Sequence, residues 1–286
     1  MLYVKKFKTD EEKLEYEGPK KYISYTDVTE VSTVNPLDYS QEYLTFKILT
    51  DGTITYHIEE QGVALIPLSY SLDNGETWSE PADSISLTVH SGDVIMWKGE
   101  REYEESETQY GYFFGGSTAA FEVEGNIMSL MYSDDFIGQT SLKDIPAAFA
   151  MIFQMTNVVN AKNLILPATT LTDYCYAVMF RSCVRLKYPP KLPADELSNN
   201  CYDNMFANCT SLIKAPALPA TSLRKLMACY IQMFANCTSL KKAPELPADE
   251  ISPSCYAGMF QNCTSLVKAP ALPADETYQT CYAGMF

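Results

Sequence analysis

Two hydrophobic patterns divide the chain, and the first of them predicts β-strands. Between residues 43 and 132, apolar and polar residues alternate in short runs such as "YLTFKILTDGTITYHI", separated by Gly-containing turns. Alternation of period two predicts strands with one buried face. About seven or eight short strands in this region are typical of an immunoglobulin-like β-sandwich. Tight hairpins are predicted at Asp51-Gly52, Asn74-Gly75, Ser91-Gly92-Asp93 and Glu124-Gly125-Asn126.

The second pattern is a repeat that fills the rest of the chain. The motif C-Y-x-x-M-F begins at Cys175, Cys201, Cys229, Cys255 and Cys281, in steps of 26, 28, 26 and 26 residues. A fixed period of this length indicates repeats that stack on their neighbours. In "CYDNMFANCTSL", the apolar residues at offsets 0, 1, 4, 5, 8 and 11 would cover an arc of roughly 140° on an α-helix. We therefore expect one amphipathic helix per repeat, followed by a short extended strand in proline-containing segments such as "LIKAPALPA".

The apolar positions of the motif are expected to form the repeat core. These positions are Cys175, Met179, Phe180, Cys183, Cys201, Met205, Phe206, Cys209, Leu212, Cys229, Met233, Phe234, Cys237, Leu240, Cys255, Met259, Phe260, Cys263 and Leu266. On a helix, cysteines eight residues apart have Cα atoms separated by about 12 Å, beyond the reach of a disulfide. Zinc sites use cysteines closer together in sequence. We expect buried, reduced thiols and no metal or other cofactor.

The repeat motif resembles that of a known family. The run M-F-x-x-C-T-S-L-x-x-A-P-x-L-P is complete at Met205–Pro219, Met233–Pro247 and Met259–Pro273. It resembles the BspA-type leucine-rich-repeat surface proteins of Bacteroidetes and is similar to the M-F-x-x-C-x-S-L repeats of mycoplasma proteins, over about residues 150–286. The resemblance implies an α/β leucine-rich-repeat solenoid that presents one face in adhesion. The segment L-x-x-A-P-x-L-P departs from the family's L-x-x-I-x-I-P, which leaves the regularity of the strand face open.

Three regions follow from these patterns. We expect an N-terminal arm at 1–38, a β-sandwich at 39–137 and the solenoid at 138–286, with a degenerate capping copy at 147–174 because terminal repeats are usually atypical. The last repeat stops three positions before its second expected cysteine. This predicts a parent protein that continues or a chain that is a fragment.

Charge is distributed unevenly between the two halves. Residues 1–163 hold 11 lysines and arginines against 27 aspartates and glutamates, whereas residues 164–286 hold 10 against 9, within a formal net charge of −15. Neither balance is the strongly basic one that favours nucleic acid or an anionic membrane, so we expect neither as a partner. Long apolar segments and a secretory signal are absent from the sequence, so we expect no membrane insertion.

Candidate catalytic chemistry is sparse. "SLDNGETW" resembles the Asp-box turn of sialidases, but a sialidase propeller needs several blades and an arginine cluster for the substrate carboxylate. Arg101 is the sole arginine before Arg181, so we interpret the segment as a hairpin with Trp78 beneath it. His57 and His90 fall in different predicted strands, and no G-x-S-x-G motif is present. We expect no enzyme.

Two recognition functions remain. The first is a surface or adhesion protein, at the cell surface or outside the cell, that binds a host protein, a glycan or a microbial partner. The alternative is a virion fibre or decoration protein of a phage of gut bacteria, with the repeats as host-binding region, because "YVKKFKTDEE" and "YISYTDVTEV" loosely resemble phage structural proteins. The candidate contact residues are the non-consensus repeat positions Lys214, Lys241, Lys242, Glu245 and Lys268.

A lectin-like sandwich is a smaller possibility. In such a domain, Trp78, Trp97 and Tyr112 would stack on sugar rings, which requires exposed aromatic faces. We expect both tryptophans to be mostly buried. The sequence leaves the oligomeric state open.

Overall fold

A computed structural model describes residues 38–58, 67–101, 112–272, 274 and 280–286. The predicted N-terminal arm lies outside these residues except for its last position. Residues 39–286 form one compact unit. Its elements are β1 (Leu44–Ile48), β2 (Gly52–Ile58), β3 (Leu68–Ser71), β4 (Ser84–Val89), β5 (Val94–Gly99), β6 (Tyr112–Phe113), β7 (Phe121–Asn126), α1 (Ser129–Tyr132) and β8 (Val158–Ile165), with 3-10 turns at Tyr39–Gln41 and Ser133–Asp135.

The strands form two sheets. Their orders are β3-β5-β1-β7-β8 and β4-β2-β6. All pairings are antiparallel except β7 with β8, which is parallel. Aromatic side chains fill the space between the sheets: Phe114 contacts Phe46 of β1 at 4.7 Å and Tyr56 of β2 at 5.3 Å, measured between ring centroids. The core therefore draws side chains from both sheets.

Three of the predicted hairpins are wrong. β1 and β2 belong to different sheets, as do β4 and β5, so Asp51-Gly52 and Ser91-Gly92-Asp93 carry the chain between sheets. Gly52 allows close approach of two chain segments, since a Cβ there would lie 2.7 Å from the Ala119 nitrogen. Glu124-Gly125-Asn126 is the end of β7, and a Cβ on Gly125 would lie 1.9 Å from the Tyr43 carbonyl oxygen. In both places, the glycine serves close backbone contact.

The chain does turn back on itself after β3. There the Ser79 N–H donates to the Tyr70 carbonyl at 2.9 Å, and Leu68 bridges Ala82 in antiparallel fashion. The Asp-box resemblance thus marks a local turn in this fold.

The predicted helix of each repeat is wrong, and the predicted fold class is wrong with it. The described part of the chain is mostly sheet and turn with one four-residue α-helix, and it is not an α/β leucine-rich-repeat solenoid. In the first complete repeat, every fourth residue has left-handed backbone: φ is 59° at Tyr174, 61° at Val178 and 63° at Ser182. An α-helix needs negative φ at every position. The repeat is therefore a ribbon of consecutive tight turns.

Hydrogen bonds within and between repeats alternate along this ribbon. The amides of Ala177 and Arg181 donate within the repeat, to the carbonyls three residues earlier at 2.9 and 3.0 Å. The intervening amides donate to the next repeat: Tyr176 to the Cys201 carbonyl at 3.0 Å and Phe180 to the Met205 carbonyl at 2.9 Å. The amide of every second residue thus bonds within its own repeat, and the amides between them bond the neighbouring repeat. Successive repeats are joined directly through their backbones, a contact that packed helices do not make.

Side chains on one side of the ribbon stack from repeat to repeat. The tyrosine that follows the first cysteine stacks at centroid separations of 5.6–5.9 Å, with interplanar angles of 3–13°. The phenylalanine of each repeat stacks in the same way at 5.6–6.0 Å. The stacked tyrosines are Tyr176, Tyr202, Tyr230, Tyr256 and Tyr282. The stacked rings therefore bury aromatic surface between successive repeats.

The strand region covers the first edge of the repeat stack. Residues 147–155 form a first turn ribbon whose amides bond the following repeat, as Phe149 does to the Cys175 carbonyl at 2.8 Å. On its other edge, the Ala148 carbonyl accepts from Nη1 of the buried Arg101 at 2.9 Å. The Ile152 carbonyl accepts from the Phe114 N–H at 2.9 Å. Arg101 and Phe114 supply the donors that a preceding repeat would supply, so the two regions share one core.

Candidate functional site: an exposed basic face on the repeats

The cysteines occupy the repeat interior and are unsuited to chemistry. All nine are free and buried. The thiol of Cys183 donates to the Phe153 carbonyl of the preceding ribbon at 2.9 Å, and Cys209 donates likewise to the Phe180 carbonyl at 3.0 Å. Burial raises the pKa of the Cys183 thiol to about 12. Because the thiolate is the nucleophile and the metal ligand, such thiols are inert near neutral pH.

The framework of the repeats is buried as a set. Every residue proposed above for the repeat core is buried except Leu266, which is partly exposed. The helix geometry used above to exclude intra-repeat disulfides does not apply to the turn ribbon. In the structure itself, the nine cysteines are not bonded to one another.

The five predicted contact residues are exposed. Lys214, Lys242 and Lys268 hold the same position in successive repeats, while Lys241 and Glu245 lie on the middle one of these repeats. Their alignment follows from the backbone. The Val267 N–H donates to the Lys241 carbonyl at 3.1 Å, which places Lys242 beside Lys268 in the next row.

Three further basic residues that the sequence reasoning missed extend this surface. They are Arg185, Lys187 and Lys191, all exposed, in the repeat that precedes Lys214. The Ile213 N–H donates to the Lys187 carbonyl at 3.3 Å, which aligns that repeat with the others. The signal was available: these residues fall at the positions equivalent to the predicted contact residues, between the second cysteine and L-P-A.

We call this surface the lysine face. It consists of four equivalent seven-residue segments: 185–191, 211–217, 239–245 and 265–271. They contain seven of the ten basic residues found between 164 and 286 but one of the nine acidic residues, Glu245. The remaining described acidic residues lie elsewhere in the repeat. Glu196, for example, accepts a hydrogen bond from Thr170 Oγ1 at 2.7 Å, outside the four segments. Near-neutral overall charge therefore conceals a strong separation of charge by position.

The aromatic residues suggested for sugar stacking are poorly placed for it. Trp97 is fully buried in the core, and Trp78 is half-buried. Lys98 Nζ lies 4.4 Å from the centre of the Trp78 ring, and the Tyr43 ring lies 4.9 Å away. The side chain of Tyr112 lies outside the part of the molecule that the structure describes. Neither tryptophan therefore offers an open aromatic platform for a sugar ring.

The Asp-box turn is held by its own hydrogen bonds. Asp73 accepts from the Thr77 N–H at 2.9 Å and from Thr77 Oγ1 at 2.6 Å, and Ser71 Oγ donates to it at 2.8 Å. The bonds from Thr77 and Ser71 lower the pKa of Asp73 to about 2. This carboxylate is therefore engaged in holding the turn.

The two histidines lie at opposite ends of one strand pair. His57 stands opposite Ser84, while His90 follows Val89, which pairs with Gly52. They therefore do not meet in a common site. Within the described ranges, no cluster of three His, Cys, Asp or Glu residues could hold a metal ion.

None of the described helices is long and apolar enough to cross a lipid bilayer. Comparisons of the chain with protein-family models, with curated proteins and with solved structures found no match.

Proposed function

We propose that this chain is a non-catalytic recognition protein of the cell surface or extracellular space, whose lysine face binds a protein or glycan partner in adhesion. The observation that carries the proposal is the separation of buried and exposed positions within each repeat. The cysteine, tyrosine, methionine and phenylalanine positions of C-Y-x-x-M-F are buried in the complete repeats, whereas positions that differ between repeats, such as Ile213 and Lys241, are exposed.

The form of the surface supports recognition of an extended partner. Repeat stacks present continuous surfaces built from equivalent positions of successive units. Here four adjacent units contribute to the face, and the stacked tyrosines of successive units lie 5.6–5.9 Å apart, measured between ring centroids. A partner that extends along the stack could contact every unit in turn.

The resemblance of M-F-x-x-C-T-S-L to the repeats of BspA-type surface proteins also favours adhesion, independently of the fold. The phage alternative rests on residues before position 38, which lie outside the described residues.

Localisation and cell binding test the proposal together. An antibody raised against residues 39–137, used for immunogold labelling of the source culture, should place gold on cell envelopes. The purified, fluorescently labelled chain should bind intact cells saturably in flow cytometry, and an excess of unlabelled chain should displace it. Gold confined to the cytoplasm, together with no saturable binding to cells, would overturn the proposal.

A further inference from the structure

No described carboxylate forms an ion pair with a basic side chain of the lysine face. Among the described residues of the repeats there is one ion pair, between Arg224 and Glu250 at 3.7 Å, and it lies outside the face. Seven cations and a single anion thus share a surface that four adjacent units of the stack build. Such a surface attracts a chain that carries negative charges at intervals along its length.

Part of the backbone of the face is already engaged. Ile213 and Val267 use their amides to bond the neighbouring repeat, at 3.3 and 3.1 Å, and Lys187 bonds Val159 at 2.9 Å. A peptide that adds as a β-strand needs free backbone groups at a sheet edge. At these three positions the face offers a partner its side chains: the basic ones and the exposed apolar Ile213 and Val267.

Aromatic platforms are scarce on the face. Tyr188, 43% exposed, is its one aromatic residue. Proteins that bind single-stranded nucleic acid stack successive bases on several aromatic side chains. The charges are also mostly lysines, which act as point charges on flexible stems and lack the planar fork of arginine. A flexible polyanion without stacking bases suits this surface best.

We propose that the lysine face binds an acidic polysaccharide that lies along the stack, with carboxylate or sulfate groups paired to Lys214, Lys242 and Lys268. The inference rests on the proposed function and names the chemical class of its partner. Each unit of the stack offers at least one cation to the glycan, so affinity accumulates over several weak exposed pairs.

The test uses the full chain, one polymer in charged and uncharged forms, and a second acidic glycan. Dextran sulfate and dextran share a backbone, and polygalacturonate supplies carboxylates. By biolayer interferometry we expect binding to dextran sulfate and polygalacturonate, none to dextran, and weakening as salt rises. A triple variant, Lys214→Glu, Lys242→Glu and Lys268→Glu, should bind about tenfold more weakly or worse.

The matched control carries the same change of charge elsewhere on the repeats. It is the triple variant Arg181→Glu, Arg224→Glu and Lys225→Glu, which should keep wild-type affinity. Thermal unfolding checks that both variants are folded. Equal loss in both variants, or binding to dextran as tight as to dextran sulfate, would overturn the inference. Tighter binding to poly-glutamate or to oligo-dT than to either acidic glycan would assign the face to another class of polymer.

The outcomes also separate this inference from the proposed function. If the chain binds cells but neither acidic glycan, the glycan inference fails while the recognition function stands. If it binds the glycans and the cells, and the lysine variant loses both, the two proposals hold together. If it binds neither, both fail.

Discussion

Gly258 distinguishes the turn ribbon from a helix, because the two structures predict opposite effects of Gly258→Ala. Inside an α-helix, alanine is more stable than glycine by about 0.5–1 kcal/mol. In this structure, Gly258 has a φ of 62°, in the left-handed region. That region costs an L-residue roughly 1–2 kcal/mol. We therefore expect Gly258→Ala to lower the free energy of unfolding by about that amount.

A steric term must be separated from the backbone term. A Cβ on Gly258 would lie 2.9 Å from Cγ of Gln232, a partly exposed side chain that can move. The double variant Gln232→Ala with Gly258→Ala has no Cγ at that place. Its loss relative to Gln232→Ala alone measures the backbone term, which should account for most of the effect.

The equivalent position in an earlier repeat supplies the reverse experiment. Val178 has a φ of 61°, which is unusual for a β-branched residue. Asparagine tolerates this conformation better, so Val178→Asn should stabilise the protein by about 1 kcal/mol. Both series are measured by urea unfolding followed by circular dichroism. A more stable Gly258→Ala protein, together with a less stable Val178→Asn protein, would refute the turn ribbon.

Three further predictions concern the cap, the tyrosine stack and the thiols. Arg101→Met keeps the apolar volume but removes the Nη1 donor to the Ala148 carbonyl, so the free energy of unfolding should fall by about 1–3 kcal/mol. Unchanged stability in urea would contradict this cap. The buried hydroxyl of Tyr202 has no hydrogen-bond partner among the described residues, so Tyr202→Phe should leave stability unchanged or raise it by up to about 1 kcal/mol. A clear loss of stability would show that the hydroxyl is bonded. Burial raises the pKa of the Cys183 thiol to about 12, against about 8.5 in the unfolded chain. The buried thiol therefore contributes fully to stability below pH 8.5, and this contribution declines as pH rises toward 12. A melting temperature that stays constant from about pH 7 to 10 would contradict this prediction.

The sequence indicated which repeat residues are buried but not how the backbone runs. Burial at offsets 0, 1, 4, 5 and 8 suits a helix of 3.6 residues per turn and also a ribbon that repeats every four residues. The distinguishing signal is Asn200, Asn204 and Asn208, which recur every four residues and have φ of 53°, 53° and 63°. Asparagine tolerates left-handed backbone, so such spacing favours the ribbon. Tyr174 and Val178 hold the same conformation without such a preference, which hid the pattern.

Strand pairing was hidden for a different reason. The alternation in "YLTFKILTDGTITYHI" marks two strands, yet the first pairs with β5 and β7, about 50 and 80 residues along the chain. Pairing at such separation depends on which faces bury each other, and local turn residues carry no information about it. The role of Arg101 was missed likewise, because its partner, the Ala148 carbonyl, is 47 residues away.

The lysine face works against the stability of the fold that carries it. Like charges at equivalent positions of adjacent repeats repel, as they do when they stand opposite each other on paired strands. The backbone bonds between repeats and the stacked rings supply the cohesion, and neither needs a charge at Lys214, Lys242 or Lys268. Folding therefore gives no reason for three lysines in one row. A ligand of opposite charge gives one, because it would remove the repulsion that the unbound protein carries.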